Sequence, residues 1–309
     1  MTRTDGVLVG YDGSDFSTRA LEWAMDEAEL REVPLTVLHT WHWPYDNTDP
    51  QAKAHLRETA EHVLGHGAGL AGAHGGPRGV RAELREGPAS ARLAEMSADA
   101  GLLVVGSRGL GRRAQTVLGS VAEHVAGHAD CPVIVIRGQE PKARVPGPVV
   151  LALGDSTGDE VVGFAFGEAE RRGVELLAVR AGAEPLISWG TPGGPAPAIE
   201  AAIRAGERAT AERLLAHRAV HPDVRVAIRY TTLTPRQAVR DCSIGATLLV
   251  LGTGASPERL GPVAGYAVQF APCPVALVPR KSPAVQALQA AFGADIWKDD
   301  RHPERDLSL

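Results

Sequence analysis

The order of strands and helices, which repeats once along the chain, restricts the possible folds more than any other feature. In the first half, apolar strand-like runs alternate with helical segments; the runs are 6–12, 34–41, 80–87, 101–107 and 131–137. The same order returns in the second half, with runs at 148–156, 173–181, 224–230, 247–253 and 273–279. Such alternation is typical of parallel sheets covered by helices on both faces. We therefore expect an α/β fold with two tandem domains, each containing a five-stranded, mainly parallel sheet.

Two stretches give the register of this internal repeat. Each first strand begins at a valine and closes at an aspartate five residues later, Val7 to Asp12 and Val150 to Asp155. Near the end of each copy, HADCPVIVI (128–136) matches FAPCPVALV (270–278). Similarity over this length indicates two copies of one domain.

The repeat also sets the domain boundaries. We predict a first domain at 1–138, a charged and proline-bearing linker at 139–147 and a second domain at 148–280. Residues 281–309 form a C-terminal tail with one apolar helical stretch and a polar end. The length of 309 residues fits two domains of roughly 150 residues each.

Composition excludes several classes of partner. The chain has 32 lysines and arginines against 37 acidic residues, a formal net charge of -5, and no basic stripe that would indicate nucleic-acid binding. The sequence contains neither a secretory signal core at its start nor a run of about 18 apolar residues that could cross a membrane. Its three cysteines have no disulfide or zinc spacing. We expect a cytoplasmic protein without nucleic-acid or membrane partners.

Glycines cluster where the fourth strand should end. The stretch VVGSRGLGRRAQTVLGS (104–120) follows an apolar strand and precedes a helix that begins near Gly119. Ligands gather at the carboxyl ends of parallel strands, and a helix N-terminus offers free N–H groups to an anion. Glycine lets backbone amides approach phosphate oxygens, Ser120 adds a hydroxyl, and Arg112 or Arg113 can neutralise charge. The alternative is an ordinary loop with solvated arginines.

This glycine pattern resembles the nucleotide-binding pattern of the universal stress protein family: Gly106, two residues, Gly109, nine residues, then Gly119 and Ser120. Residues 7–24, 85–109 and 119–137 are similar to that family's opening strand and helix, its approach to the fourth strand, and its closing helix and strand. The second half is similar more weakly. The resemblance implies tandem Rossmann-like domains of the adenine nucleotide alpha hydrolase-like type, with ATP, with or without Mg²⁺, as the ligand.

The resemblance also implies roles for individual residues. The phosphates are expected at the glycine-serine pattern and the basic loop inside it, which comprise Gly106, Arg108, Gly109, Arg112, Gly119, Ser120 and Val121. The nucleoside is expected beside Asp12, with Gly10 and Tyr11 before it, and adenine beside His39 and Thr40 at the end of the second strand. Asp12 could equally form a turn within YDGS.

The second copy departs from this pattern. Aligning 102–120 with 247–263 pairs Gly106 with Gly252 and Gly119 with Gly261. Twelve residues separate the two glycines in the first copy, but only eight separate them in the second. Pro262 replaces Ser120 and offers neither a hydroxyl nor a backbone N–H. Ala181 stands at the position of Thr40, whereas the alignment retains Asp155 at the position of Asp12. We expect the second domain to keep the fold and to bind ATP weakly or not at all.

A degenerate copy still has a structural use. Members of the family commonly pair through their last strands, so the resemblance implies an intramolecular pseudo-dimer in which 131–137 and 273–279 meet across a pseudo-twofold axis. Such pairing would also remove an exposed apolar strand edge. Further association into a homodimer stays open.

Three function classes remain at this point. The first is an ATP-binding regulator in the stress response that acts on an unidentified protein partner. The others are an enzyme that hydrolyses ATP slowly and a scaffold that binds no nucleotide. The loop 106–120 has no acidic residue, and efficient phosphoryl transfer needs a base and metal-binding carboxylates, so the regulator is favoured. A zinc cluster of His124, His128 and Cys131 is disfavoured because the cysteine should point into the core.

Overall fold

The computed structural model describes residues 6–43, 49–73, 78–109, 118–137, 146–182, 196–254 and 259–280. Three predicted features lie partly or wholly outside these ranges: Arg112 with Arg113, most of the linker, and the C-terminal tail. The described ranges form strands and helices in the alternating order that the sequence predicts.

The first half contains five strands and four helices among its described residues. Its strands are β1 (Val7–Gly10), β2 (Leu35–Trp41), β3 (Val80–Glu86), β4 (Leu102–Gly106) and β5 (Val133–Ile136). Its helices are α1 (Asp15–Leu30), α2 (Pro50–Ala73), α3 (Ala89–Ser97) and α4 (Ser120–His128). The start of α1 is set by Ser14, whose hydroxyl oxygen accepts a hydrogen bond from the Ser17 N–H at 3.2 Å.

The second half repeats this order. Its strands are β6 (Val149–Leu153), β7 (Leu176–Ala181), β8 (Val226–Thr231), β9 (Leu248–Gly252) and β10 (Val275–Val278). Its helices are α5 (Asp159–Arg172), α6 (Ala196–Val220), α7 (Pro235–Cys242) and α8 (Pro262–Phe270). A capping box formed by Thr234 and Gln237 begins α7, and Gly173 ends α5 in the left-handed region at φ 63°.

All ten strands form one sheet in the order β3-β2-β1-β4-β5-β10-β9-β6-β7-β8. Neighbouring strands are parallel within each half. The halves meet at β5 and β10, which pair antiparallel with Ala276 opposite Ile134. The expected pairing of the last strands is therefore present within one chain.

Each face of the sheet carries one helix layer from both halves. Core side chains of α1, α2, α5 and α6, such as Leu21, Leu64, Phe166 and Leu214, pack on one face. Those of α3, α4, α7 and α8, such as Leu93, Val125, Val239 and Val268, pack on the other. Because both faces are covered, the central strands are apolar at nearly every position.

The strand register corrects the sequence alignment of the two halves. Gly106 lies opposite the last residue of β5 and Gly252 opposite the last residue of β10, so these glycines are equivalent. Four residues before these glycines, Leu102 lies opposite Val7 and Leu248 lies opposite Val149. Val7 is therefore equivalent to Val149 rather than to Val150. Val7 and Val149 point into the same helix layer, whereas Val150 points into the opposite one.

This shift places Asp155 one residue beyond the position of Asp12, although Asp155 still lines the second cavity as Asp12 lines the first. Gly154, rather than Asp155, occupies the position of Asp12. The Asp155 side chain is 92% exposed and pairs with Arg180 at 2.5 Å. A slip of one residue turns every side chain of a strand to the other face, but strands that are apolar on both faces give the sequence no signal of the slip.

Helices α1 and α5 meet in a buried cluster of charges. Each contributes a glutamate and an arginine four residues later, Glu27 with Arg31 and Glu168 with Arg172. Arg172 bonds to both carboxylates and Arg31 also reaches both, with its Nε 3.0 Å from Glu27 Oε2. Both glutamates are at most 2% exposed. The cluster therefore links the two halves on the face opposite α4 and α8.

Candidate functional site

A cavity of about 480 Å³ opens at the carboxyl ends of β1 and β4. These are the strands at which the chain changes its direction across the sheet, the usual place for a ligand in an open α/β sheet. Apart from Arg112, which lies outside the described residues, all predicted site residues line this one cavity: Gly10, Tyr11, Asp12, Thr40, Gly106, Arg108, Gly109, Gly119, Ser120 and Val121.

Asp12 joins the first turn to the glycine loop. Its Oδ1 accepts hydrogen bonds from the Ser14 N–H at 3.0 Å and the Ser14 hydroxyl at 2.6 Å. Its Oδ2 approaches Gly109 so closely that a β-carbon added there would collide with the carboxylate. The carboxylate thus stabilises the turn, as the alternative for this residue predicted, and also lies in the cavity wall.

Another part of the cavity wall is formed by the start of α4. Gly119 is the N-cap residue, and its N–H donates to the Ser107 carbonyl at 2.9 Å, which closes the loop after β4. The N–H groups of the first helical turn, from Ser120 to Ala122, have no carbonyl four residues earlier within the helix. Together with the Ser120 hydroxyl they form a set of donors at the positive end of the helix dipole.

Gly106 and Gly119 let the surrounding backbone segments pack closely at this end of the cavity. A β-carbon added at Gly119 would lie 3.3 Å from Arg108 Cα and 3.3 Å from the Ser107 carbonyl oxygen. One added at Gly106 would lie 2.7 Å from the Phe16 carbonyl oxygen. Larger residues at these positions would displace the loop, which fits a cradle built from backbone amides.

One guanidinium group lines this end of the cavity, and a second lies close enough to repel it. Arg108 lies over the Phe16 ring at 5.4 Å and lines the cavity. Arg137, which follows β5, has a pKa lowered by burial and by repulsion from Arg108. Its buried Nη1 has no hydrogen-bond partner among the described residues. An anion near these groups would relieve the repulsion, so the residues fit a phosphate-bearing ligand.

The opposite wall combines polar and apolar groups. His39 Nδ1 lies 2.7 Å from the Tyr11 carbonyl oxygen, and the Tyr11 hydroxyl lies 2.7 Å from His66 Nδ1. Ala89 and Leu93 of α3 add an apolar surface next to Thr40. Sequence reasoning missed several lining residues, namely Ser17, Leu38, Ala89, Leu93, Val105, Leu118 and Ala122. Of these, Leu38, Ala89 and Leu93 belong to the apolar stripes of β2 and α3, and a stripe does not reveal what it faces.

The second half has a cavity of about 560 Å³ at the equivalent edge of the sheet, beside β6 and β9. Its loop closes in the same way, because the Gly261 N–H donates to the Thr253 carbonyl at 2.7 Å. Pro262 begins α8 where Ser120 begins α4. The register also pairs Ala181 with Thr40, as the sequence alignment predicted.

The described residues contain no group of three or more histidines, cysteines or carboxylates that could hold a metal ion. His124 and His128 stack with ring centroids 4.1 Å apart, while Cys131 is buried in the core. Burial and the neighbouring His128 lower the pKa of His124. Across the described part of the chain, no helix combines the length and apolar character needed to cross a membrane.

Comparison with known proteins identifies both halves. The model of the universal stress protein family matches residues 4–137 and again 147–279. The chain is 32% identical over 302 residues to universal stress protein Rv2623 of Mycobacterium tuberculosis, covering 90% of this chain and 97% of that protein. A universal stress protein of Mycolicibacterium smegmatis is 32% identical over 295 residues, covering 88% and 96%.

A solved structure has the same two-domain fold. The crystal structure of a universal stress protein from Archaeoglobus fulgidus aligns with a TM-score of 0.66 at 20% identity, covering 90% of this chain and 99% of that one. At this identity the likeness concerns the fold. With the family model matching both halves, the chain belongs to the universal stress protein family and carries two tandem copies of its domain.

Proposed function

We propose that the first domain binds ATP, with or without Mg²⁺, and that the occupied domain regulates an interaction with a protein partner in the cytoplasmic stress response. The observation that carries the proposal is the presence, in one cavity, of the Asp12 carboxylate after β1 and the backbone N–H groups at the start of α4. Asp12 can accept hydrogen bonds from ribose hydroxyls. The start of α4, with Ser120, suits phosphate oxygens.

The charges near the loop support a polyphosphate rather than a neutral ligand. Arg108 lines the cavity and Arg137 stands close enough to it for mutual repulsion. Binding of an anion would neutralise both groups, and burial strengthens such interactions relative to water.

The same cavity is poorly equipped for rapid catalysis, which favours a regulator over an enzyme. Of the described residues that line it, Asp12 is the only carboxylate. Phosphoryl transfer uses carboxylates to hold metal ions and a base to orient the nucleophile. One carboxylate that already accepts two bonds from Ser14 is insufficient for both tasks. We expect ATP turnover close to background.

A matched pair of variants tests the proposal. Gly119→Val and Gly261→Val place the same bulk at equivalent helix starts, where a β-carbon would meet similar neighbours at 3.3 Å and beyond. Calorimetric titration of the full-length chain with ATP should show one site, lost in Gly119→Val and retained in Gly261→Val. Phosphate release measured in parallel should stay near background.

Three results would contradict it. Absence of ATP binding by the wild-type chain favours the scaffold. Loss of binding in Gly261→Val alone moves the site to the second domain. Substantial turnover that depends on Ser120 favours the enzyme. Thermal unfolding of both variants serves as the control for folding.

A further inference from the structure

The cavity of the second domain keeps an apolar wall like that of the first but lacks several of its polar groups. Its inner wall is built from apolar side chains contributed by both faces of the sheet, among them Val161, Val179, Val239, Leu251 and Val278. Its volume of about 560 Å³ is within the range of cavities that hold drug-sized ligands.

The groups that would hold phosphates in the first domain are replaced here. Pro262 provides no N–H and no hydroxyl at the start of α8. Gly154 stands where Asp12 would be. Two carboxylates, Asp155 and Glu160, line the cavity together with two arginines, Arg180 and Arg280, so the charges of its lining balance.

The polar groups of the loop that follows β6 already form hydrogen bonds or ion pairs within the protein. The Gly154 N–H donates to Thr157 Oγ1 at 2.8 Å. Arg213 of α6 donates to the Gly154 carbonyl at 2.9 Å and also to the Thr157 carbonyl. Arg180 at the rim is paired with Asp155 at 2.5 Å. These bonds leave the apolar wall as the main surface for a ligand.

From this chemistry we propose that the second domain binds an uncharged, mainly apolar small molecule in place of a nucleotide. Burial of apolar surface drives the binding, and Pro262 leaves the start of α8 without the hydroxyl and the N–H that would hold a phosphate. The chain then carries two sites for ligands of different classes on one sheet. This second site is independent of nucleotide binding in the first domain.

The test uses N-phenylnaphthylamine, a neutral apolar dye that becomes fluorescent in apolar surroundings, on the full-length chain. Ala181 and Thr40 are equivalent strand-end residues that line the two cavities. Ala181→Trp fills the second cavity and Thr40→Trp the first. We expect Ala181→Trp to weaken dye binding about tenfold or more, and Thr40→Trp to leave it unchanged. Saturating ATP should not displace the dye.

The outcomes separate this site from the nucleotide site. Unchanged dye binding in Ala181→Trp, or displacement of the dye by ATP, overturns the proposal. Dye binding by the wild type without ATP binding would contradict the nucleotide proposal but leave this one standing. ATP affinity and thermal unfolding of Ala181→Trp report whether it folds. If it does not, Val263→Asp, at the half-buried edge of the cavity, replaces it and should weaken dye binding likewise.

Discussion

The two cavities occupy equivalent edges of one continuous sheet but differ at the residues that face a ligand. In both, the glycine before the last helix donates its N–H to the carbonyl of the first residue after the strand, at 2.9 Å for Gly119 and 2.7 Å for Gly261. The helices then begin with Ser120 and Pro262. The backbone closure of the loop is thus a property of the fold, whereas the donors for an anion depend on individual residues.

A second comparison concerns the helices that join the halves. Glu27 and Glu168 have matching arginines four residues later, yet their environments differ. Burial and repulsion from Glu168 raise the pKa of Glu27 above the usual glutamate range. Burial also acts to raise the pKa of Glu168, but Arg172, Arg31 and Arg171 outweigh it and hold that pKa below the usual range. One carboxylate is therefore stabilised in its charged form and its counterpart is not.

The largest expected effect comes from breaking this cluster. Glu168→Gln removes the carboxylate that three arginines contact, and we expect the free energy of unfolding to fall by about 3 kcal/mol at neutral pH. Glu27→Gln, the matched variant, relieves repulsion and should cost less or even stabilise the chain. Urea unfolding at neutral pH measures both. Equal losses in the two variants would contradict the asymmetry.

The contributions of Glu168 and Glu27 to the stability of the fold change in opposite directions with pH. A lowered pKa in the folded state means that Glu168 stabilises the fold above the ordinary glutamate value of 4.5, and this contribution is lost as the pH falls through the lowered pKa. A raised pKa means that Glu27 contributes stability below 4.5, which is lost as the pH rises through the raised pKa. As the pH falls, the loss in the free energy of unfolding caused by Glu168→Gln should therefore become smaller. Any gain in the free energy of unfolding caused by Glu27→Gln should become smaller as well.

The next effect tests whether one residue separates the two cavities. Ser120→Pro gives α4 the first residue of α8 and removes one N–H and one hydroxyl from the donor set. We expect ATP affinity to fall about 100-fold or more, since two hydrogen bonds are lost and each bond to a charged group contributes on the order of 1.5–3 kcal/mol. Proline is favourable at the first position of a helix, and α8 begins with one, so folding should be unaffected. Unchanged affinity in calorimetric titration would exclude this helix start as the phosphate site.

How much of this could be predicted from the sequence depends on the kind of signal. Strands and helices were predictable because their apolar periodicities are strong, and ten site residues share one cavity because their spacing placed them at strand and helix ends. The equivalence of Gly154 with Asp12 was not predictable, since strands apolar on both faces carry no register signal. Nor was the charge cluster, because Glu27 with Arg31 is indistinguishable in sequence from an ordinary surface pair.

The smallest expected effect is the reverse exchange, and it shows whether the proline alone accounts for the difference. Pro262→Ser restores the hydroxyl and the N–H to α8, and Gly119→Val in the same chain removes the first site so that titration reports the second alone. We expect a gain in ATP affinity below about threefold, because a donor helps only when the rest of the ligand is held, and Asp155, the carboxylate beside Gly154, is already paired with Arg180. If Pro262→Ser instead created a site as tight as that of the first domain, the proline would be the sole barrier to ATP, and the apolar wall would no longer indicate a different class of ligand.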